Sequence, residues 1–397
     1  MNGEQTYRSR VTRVQREMAQ RDLDAMILYK PQNTFYLSHF NALIYSRHVI
    51  AVVTRNDEPC LIVPRLRVDH AKSESRIRDI RAYHKIRLSD APSTVASDPY
   101  ELLRDVLQER GVADGTVGVE RDYLTLNMWR DVQKILPSAR FADVAPMFDQ
   151  IRMVKDAEEI EMTRKAAAIT NVGMRAALGK TRIGASEIEI AVAAMAAMQE
   201  FWMANCPDDE VAGFGGGEGW AFNELWCLCT SKRGTVALDS PTSRRLTAGD
   251  NPFIGVMATV NGYHAENERT PIVGGAAPHK VRAFEAHLEA TRAMLPRIRP
   301  GASCAEVAQA AADIYEKRGY SGNVPARAGH SIGLSGHEGF SFALTDHTIL
   351  QENMVVSVEP ALSFEEYGWV GNSNTYLVTK TGCELLTDYR VNELIML

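Results

Sequence analysis

The sequence predicts an α+β protein of two domains, and three observations support that expectation. Its 397 residues exceed what one hydrophobic core ordinarily fills. The N-terminal third alternates short apolar runs with helix-periodic stretches, the pattern of a layered α/β domain. Beyond it, capped helices are interrupted by strand-like runs, the pattern of helices laid on one face of an antiparallel sheet.

In the first domain, residues 24–29, 50–54 and 116–120 are apolar runs of strand length. Residues 11–21 and 100–110 place apolar side chains three or four apart among charges, which is helix periodicity. This domain is expected to occupy residues 1–153, leaving 154–397 for the second. The second opens on a capping box, in which Asp156 accepts from first-turn amides while Glu159 reaches back. Ser186 with Glu189, and Ser303 with Glu306, repeat the signature before two more helices. Residues 280–295 read as a helix with a weaker start, and strands are expected at 252–260, 262–271, 354–362 and 370–378.

The apolar fraction of 45% excludes a largely disordered chain. A net charge of -6 gives no reason to expect nucleic acid or an anionic membrane as partner. No apolar run is long enough to span a bilayer and the first residues lack a signal pattern, so a cytoplasmic protein with a small-molecule substrate is expected. Cys60, Cys206, Cys227, Cys229, Cys304 and Cys383 are scattered, and reduced, packed thiols are expected. The glycine-rich run 213–219 lacks the Lys-Ser/Thr ending of a phosphate loop and reads as an active-site rim or a linker.

Three segments hold the residues for chemistry. The first is Asn261-Gly262-Tyr263-His264-Ala265-Glu266-Asn267-Glu268-Arg269-Thr270, the second Gly329-His330-Ser331-Ile332-Gly333, and the third Val355-Val356-Ser357-Val358-Glu359-Pro360. In this order and spacing they resemble the catalytic domain of the creatinase/prolidase/methionine aminopeptidase family. The resemblance spans nearly the whole chain and implies a pita-bread catalytic domain preceded by a smaller three-layer α/β domain. Metal-dependent members hold two divalent ions with two aspartates, a histidine and two glutamates. Those places fall here on Gly255, Glu266, His330, Glu359 and Ser373. Gly255 and Ser373 supply no anionic oxygen, so neither a metal pair nor any other cofactor is expected.

Within the family the wording is closest to creatinase, its metal-free member. Glu268-Arg269-Thr270 and the run from Met354 to Pro360 imply that Glu268 and Glu359 clasp a guanidinium-like group. Tyr45-Ser46-Arg47 resembles the arm by which one subunit enters its neighbour's site. It implies a homodimer in which Arg47 binds the substrate carboxylate and Tyr45 packs over the ligand. His337 falls on the second family histidine, which contacts the scissile amide. The general-base histidine is replaced by Asp239, which at an ordinary pKa near ~4 is a weak base unless desolvated or used as a nucleophile. Phe340-Ser341-Phe342 stands where creatinase has a further arginine, and suggests a more apolar pocket wall.

The residues themselves add to this. Strand alternation puts His264, Glu266 and Glu268 on one face, with same-face neighbours roughly 7 Å apart. His264, paired with Glu266, is therefore a candidate for the missing base; the alternative is a partly solvated strand histidine. His330 can act as acid, base or donor. Glu359, on a strand of valines, needs a cation, an amide donor or a salt bridge, with Arg269 the nearest candidate in sequence. The expectation is a homodimeric, metal-independent hydrolase of a carbon-nitrogen bond in a small carboxylate-bearing amidine, guanidine, cyclic amidine or amide. An ectoine-hydrolase-like covalent attack is a variant of it. A metal-dependent Xaa-Pro dipeptidase and a non-catalytic binding member of the fold remain as alternatives.

Overall fold

The computed structural model describes residues 3–84, 96, 98–214, 224–231, 239–325 and 327–397. It divides into two units, one of residues up to Arg152 together with Phe214, the other of the remaining described residues from Met153 on.

The first unit is built on β1 (Ala25–Leu28), β2 (Ile50–Thr54), β3 (Cys60–Pro64), β4 (Asp79–Tyr83), β5 (Thr116–Val119) and β6 (Arg140–Asp143), which pair in the order β4-β3-β2-β1-β5-β6. Helices α1 (Gly3–Gln20), α2 (Pro31–Ser38), α3 (Val68–Glu74), α4 (Pro99–Glu109), α5 (Leu126–Ile135) and α6 (Ala145–Met153) alternate with these strands. Alternation sends Ala25 and Ile27 of β1 into one buried cluster with Leu103 and Val106 of α4 and Val132 of α5. The amphipathic spacing of those helices, set by apolar residues three or four apart, is what they bury there.

The second unit begins with α7 (Ala157–Lys180) and α8 (Glu187–Asn205). Both start in complete capping boxes, Asp156 with Glu159 and Ser186 with Glu189. Then come α9 (Pro278–Met294), which opens on Pro278 without a side-chain cap, and α10 (Cys304–Lys317), capped by Ser303 and Glu306. The strands are β7 (Leu225–Thr230), β8 (Phe253–Val260), β9 (Tyr263–Arg269), β10 (Gly329–Ser331), β11 (Glu338–Ser341), β12 (Val355–Val358), β13 (Leu362–Phe364), β14 (Gly368–Val370), β15 (Ser373–Val378) and β16 (Cys383–Leu385). An antiparallel sheet runs β11-β10-β12-β15-β9-β8-β7, with β16 on β15 and β13-β14 as a separate hairpin.

One face of this sheet is covered by helices. Ile254, Val256, Ala258 and Val260 of β8 pack with Ile169, Met174, Ala194 and Met198 of α7 and α8. Gly173 permits the close approach, since a Cβ there would lie 2.7 Å from Met198 and 2.8 Å from Val256. Val356 and Val358 of β12 pack with Phe284 and Leu288 of α9 and Val307 of α10. The other set of alternating residues faces the site.

The run expected as one strand over 354–362 is broken. β12 stops at Val358, and the chain passes Glu359 and Pro360 before β13, because proline has no N–H to continue a ladder. None of the six cysteines forms a disulfide among the described residues. Among the described residues no helix is long and apolar enough to cross a membrane.

Candidate active site

Strand alternation builds the site from β7, β8 and β9. Trp226 and Leu228, then Phe253, Met257 and Thr259, then His264, Glu266 and Glu268 line one cavity of about 750 Å³, together with Ile332, His337, Glu359, Trp369 and Arg327. The register sets their neighbours: Leu228 opposes Gly255, Gly255 opposes Glu268, and Glu268 opposes Ser373. One row further along, Trp226 opposes Met257 and Met257 opposes Glu266. Each row therefore passes from an apolar side on β7 and β8 to an acidic side on β9.

Glu266 is the most heavily bonded carboxylate of the cavity. Its Oε1 accepts from Ser373 Oγ at 2.8 Å and from Ser357 Oγ, and His330 Nε2 lies 3.3 Å away. Burial opposes ionisation, but the His330 charge and these contacts outweigh it and hold the carboxyl below its ordinary value. His330 is itself 1% exposed, and its Nε2 also lies 3.6 Å from Glu359 Oε1. Burial would lower its pKa; Glu266 and then Glu359 raise it, favouring the imidazolium. The ring of His337 meets that of His330 edge-on, 4.2 Å between centroids. Burial, then the neighbouring charges of His330 and Arg327, push His337 down to about 4, so it is neutral near pH 7.

Glu268 is 5% exposed, and among the described residues its carboxylate has no hydrogen-bond or ion-pair partner. Burial, then the charges of Glu266 and Glu359, raise its carboxyl well above the ordinary value. Glu359 is raised by burial and by Glu266 to about 7, despite Arg327, whose Nε stands 3.4 Å from its Oε1. Positive charge is scarce in this cavity relative to its carboxylates.

Helix α9 fixes the two loop ends beside these residues. His287 Nδ1 pairs with Pro360 O, and Asn372 N–H donates to His287 Nε2 at 3.1 Å. A carbonyl only accepts and an amide N–H only donates, so this imidazole is neutral with its proton on Nδ1. Burial holds it there, with a pKa of about 4.

Several expectations need correction. His264 does not pair with Glu266, whose oxygen is engaged from the neighbouring strands. Its backbone N–H and its Nδ1 each lie 2.9 Å from Gly333 O, and its Nε2 faces Glu224 at 3.8 Å. Asp239 is exposed, accepts from Ser240 N–H at 2.7 Å and does not line the cavity; residues 232–238 of its loop, like 215–219 of the glycine-rich run, lie outside the described residues. Glu359 is matched by Arg327 rather than Arg269, which is fully buried and donates to Glu268 O, Ser373 O, Asn374 Oδ1 and Tyr389 O. Phe340 and Phe342 belong to the core under α9 and α10. The apolar wall comes instead from Trp226, Phe253 and Trp369, which sequence reasoning missed along with Arg327 and Glu224.

Tyr45 and Arg47 belong to the first unit. Tyr45 Oη bonds Asn41 Oδ1 at 3.1 Å, and Arg47 donates to Ser46 O at 2.7 Å and lines a cavity of about 280 Å³ with Arg65, Arg67 and His84.

A pair of metal ions does not suit this donor set. Gly255 has no side chain, and a Cβ there would stand 2.9 Å from Phe253 Cε1, so the phenyl ring fills the space of an absent ligand. Ser373 is a hydrogen-bond donor to Glu266, not an additional anion. Glu266, His330 and Glu359 do keep one ligand atom each within 4.8 Å of one another, a set that suits a single ion at most.

Comparison with known proteins agrees with this architecture. Residues 161–380 match the model described as metallopeptidase family M24, and residues 10–154 match the creatinase/prolidase N-terminal domain. The chain is 26% identical to the Xaa-Pro dipeptidase of Pyrococcus furiosus, over 96% of this chain and 98% of that one. It is equally 26% identical to the creatinase of a Bacillus species, over 96% and 90%. The solved prolidase of Pyrococcus horikoshii superposes with a TM-score of 0.79 at 24% identity, covering 96% of this chain and 99% of that one, which establishes the fold alone.

Proposed function

Because the chain belongs to the M24 metallopeptidase family and has its creatinase/prolidase N-terminal domain, making it a hydrolase of that group, we propose a metal-independent enzyme for small carbon-nitrogen compounds. Its substrate is an amidine, guanidine, cyclic amidine or amide bearing a carboxylate. The observation that supports this reading is Glu268: a buried carboxylate with no partner among the described residues, beside Glu359, where a metal pair has lost two of its ligands to Gly255 and Ser373. An uncompensated buried carboxylate is costly, and a bound organic cation would remove that cost.

In this reading Glu268 and Glu359 hold the nitrogen-rich end. His330, as an imidazolium beside Glu266, donates a proton to the leaving nitrogen. His264, with its proton on Nδ1 and Nε2 facing Glu224, takes one from water. His337 is a neutral donor to the developing oxyanion. A second copy of the chain, as the resemblance to creatinase suggests, supplies Arg47 and Tyr45 for the carboxylate end. The test is turnover of a panel of guanidino acids, hydantoins, ectoines and Xaa-Pro dipeptides, with and without chelator. It is read as urea or ammonia release for the guanidino acids and as the ring-opened or cleaved product by mass spectrometry for the others. Turnover that survives chelation is expected; activity confined to Xaa-Pro dipeptides and abolished by chelation would overturn the reading.

A second reading rests on the compact trio of Glu266, His330 and Glu359. These residues would hold one divalent ion supplying Lewis acidity to an amide carbonyl. The same chelator arm separates the two.

A further inference from the structure

We propose that the cavity is a receptor for an organic cation joined to a flat apolar body about the size of an aromatic ring, rather than for a compact cation alone. The inference rests on the proposed function for its charged end and goes beyond it in the rest of the ligand.

The two sides of the cavity come from the register of three strands. Leu228, Gly255 and Glu268 form one cross-strand row, and Trp226, Met257 and Glu266 the next. On β9 both rows end in buried carboxylates, each 5% exposed. On β7 and β8 they present indole, isobutyl and thioether groups, and the bare Gly255 Cα is covered by Phe253, whose ring would lie 2.9 Å from any Cβ there. Trp369 and Ile332 add to the apolar surface.

A cavity of about 750 Å³ is far larger than a guanidinium group. A compact cation on Glu268 would leave the exposed Trp226 and the half-buried Trp369 facing water, whereas an aryl or cycloalkyl body would bury them beside the already buried Phe253. The aromatic faces also attract the positive edge of the same ligand, so charge recognition and apolar contact reinforce one another. Glu268, buried, unpartnered among the described residues and lining the cavity, is the anchor for the charged end.

The experiment is calorimetric titration of the full-length protein with benzamidine, methylguanidine and the neutral benzamide. Benzamidine should bind on the order of 10-fold or more tightly than either of the others. Glu268→Gln should reduce benzamidine to the level of benzamide. Trp369→Ala and Trp226→Ala, with unchanged circular dichroism, should reduce it toward methylguanidine. If methylguanidine binds as tightly as benzamidine and Glu268→Gln still abolishes both, the apolar body is wrong while the cation reading stands. If neither cation binds, or benzamide equals benzamidine, both fall.

Discussion

Ser373 Oγ donates a hydrogen bond of 2.8 Å to Glu266 Oε1. At a position where the metal-binding pattern has a carboxylate, this chain has a donor to a carboxylate, and the sign of the local interaction is reversed. Ser357 Oγ joins it from the adjacent strand, 2.6 Å from Ser373 Oγ. Ser373→Ala should therefore remove a charge-assisted bond and destabilise the protein by about 1.5–3 kcal/mol. Chemical denaturation measures this, and a midpoint equal to that of the unmodified protein would show the bond to be of no consequence.

The pair Lys155–Glu338 is nearly sealed from solvent, at 1% and 7% side-chain exposure, with Nζ 2.9 Å from Oε1. Glu338 follows His337 directly and also accepts from Ser335 N–H at 3.3 Å, so it holds the loop that presents that histidine. Removing one partner leaves an unpaired buried charge, and Glu338→Gln should cost about 3–5 kcal/mol. Replacing both, Lys155→Met with Glu338→Leu, should recover much of that loss. Equal melting temperatures for the single and double variants would contradict the assignment.

His287 gives a pH signature. Its folded pKa of about 4 lies below the ordinary value of 6.5, so between these values the unfolded chain binds more protons. Stability is therefore full above 6.5 and falls as pH drops toward 4, by about 3 kcal/mol from this residue. His287→Phe should flatten that part of the curve of unfolding free energy against pH, whatever its effect on absolute stability. A slope unchanged by the substitution would refute it.

Glu359 should give a pH dependence in ligand binding, at higher pH than that of His287. Its carboxyl is raised to about 7, first by burial and then by Glu266, so it is neutral below that pH and anionic above. Affinity for benzamidine should rise as pH increases through 7, and Glu359→Gln should diminish the rise, leaving the part due to Glu268, whose carboxyl is also raised. Binding that weakens with increasing pH would contradict the role.

What the sequence made legible was local. Asp156 with Glu159, Ser186 with Glu189 and Ser303 with Glu306 mark their helix starts because a capping box spans only four residues. The alternation that puts Glu266 and Glu268 on one face of β9 is equally local. Register is not: that Leu228, Gly255, Glu268 and Ser373 stand in one row across four strands depends on pairings distant in sequence. Hence Glu266 acquires His330 and two serines as partners instead of His264. Arg327 stands three residues before His330 outside any periodic element, so nothing in its spacing connects it to Glu359. Asp239 took its expected role from alignment alone, and its side chain is exposed.

The central claim, that this acidic cavity has lost its capacity for paired metal ions and serves an organic cation, is tested most directly by counting ions. Native mass spectrometry of the full chain, equilibrated with manganese or zinc and then passed through buffer without metal, gives that count. The account predicts at most one retained ion per chain; two tightly retained ions would contradict it.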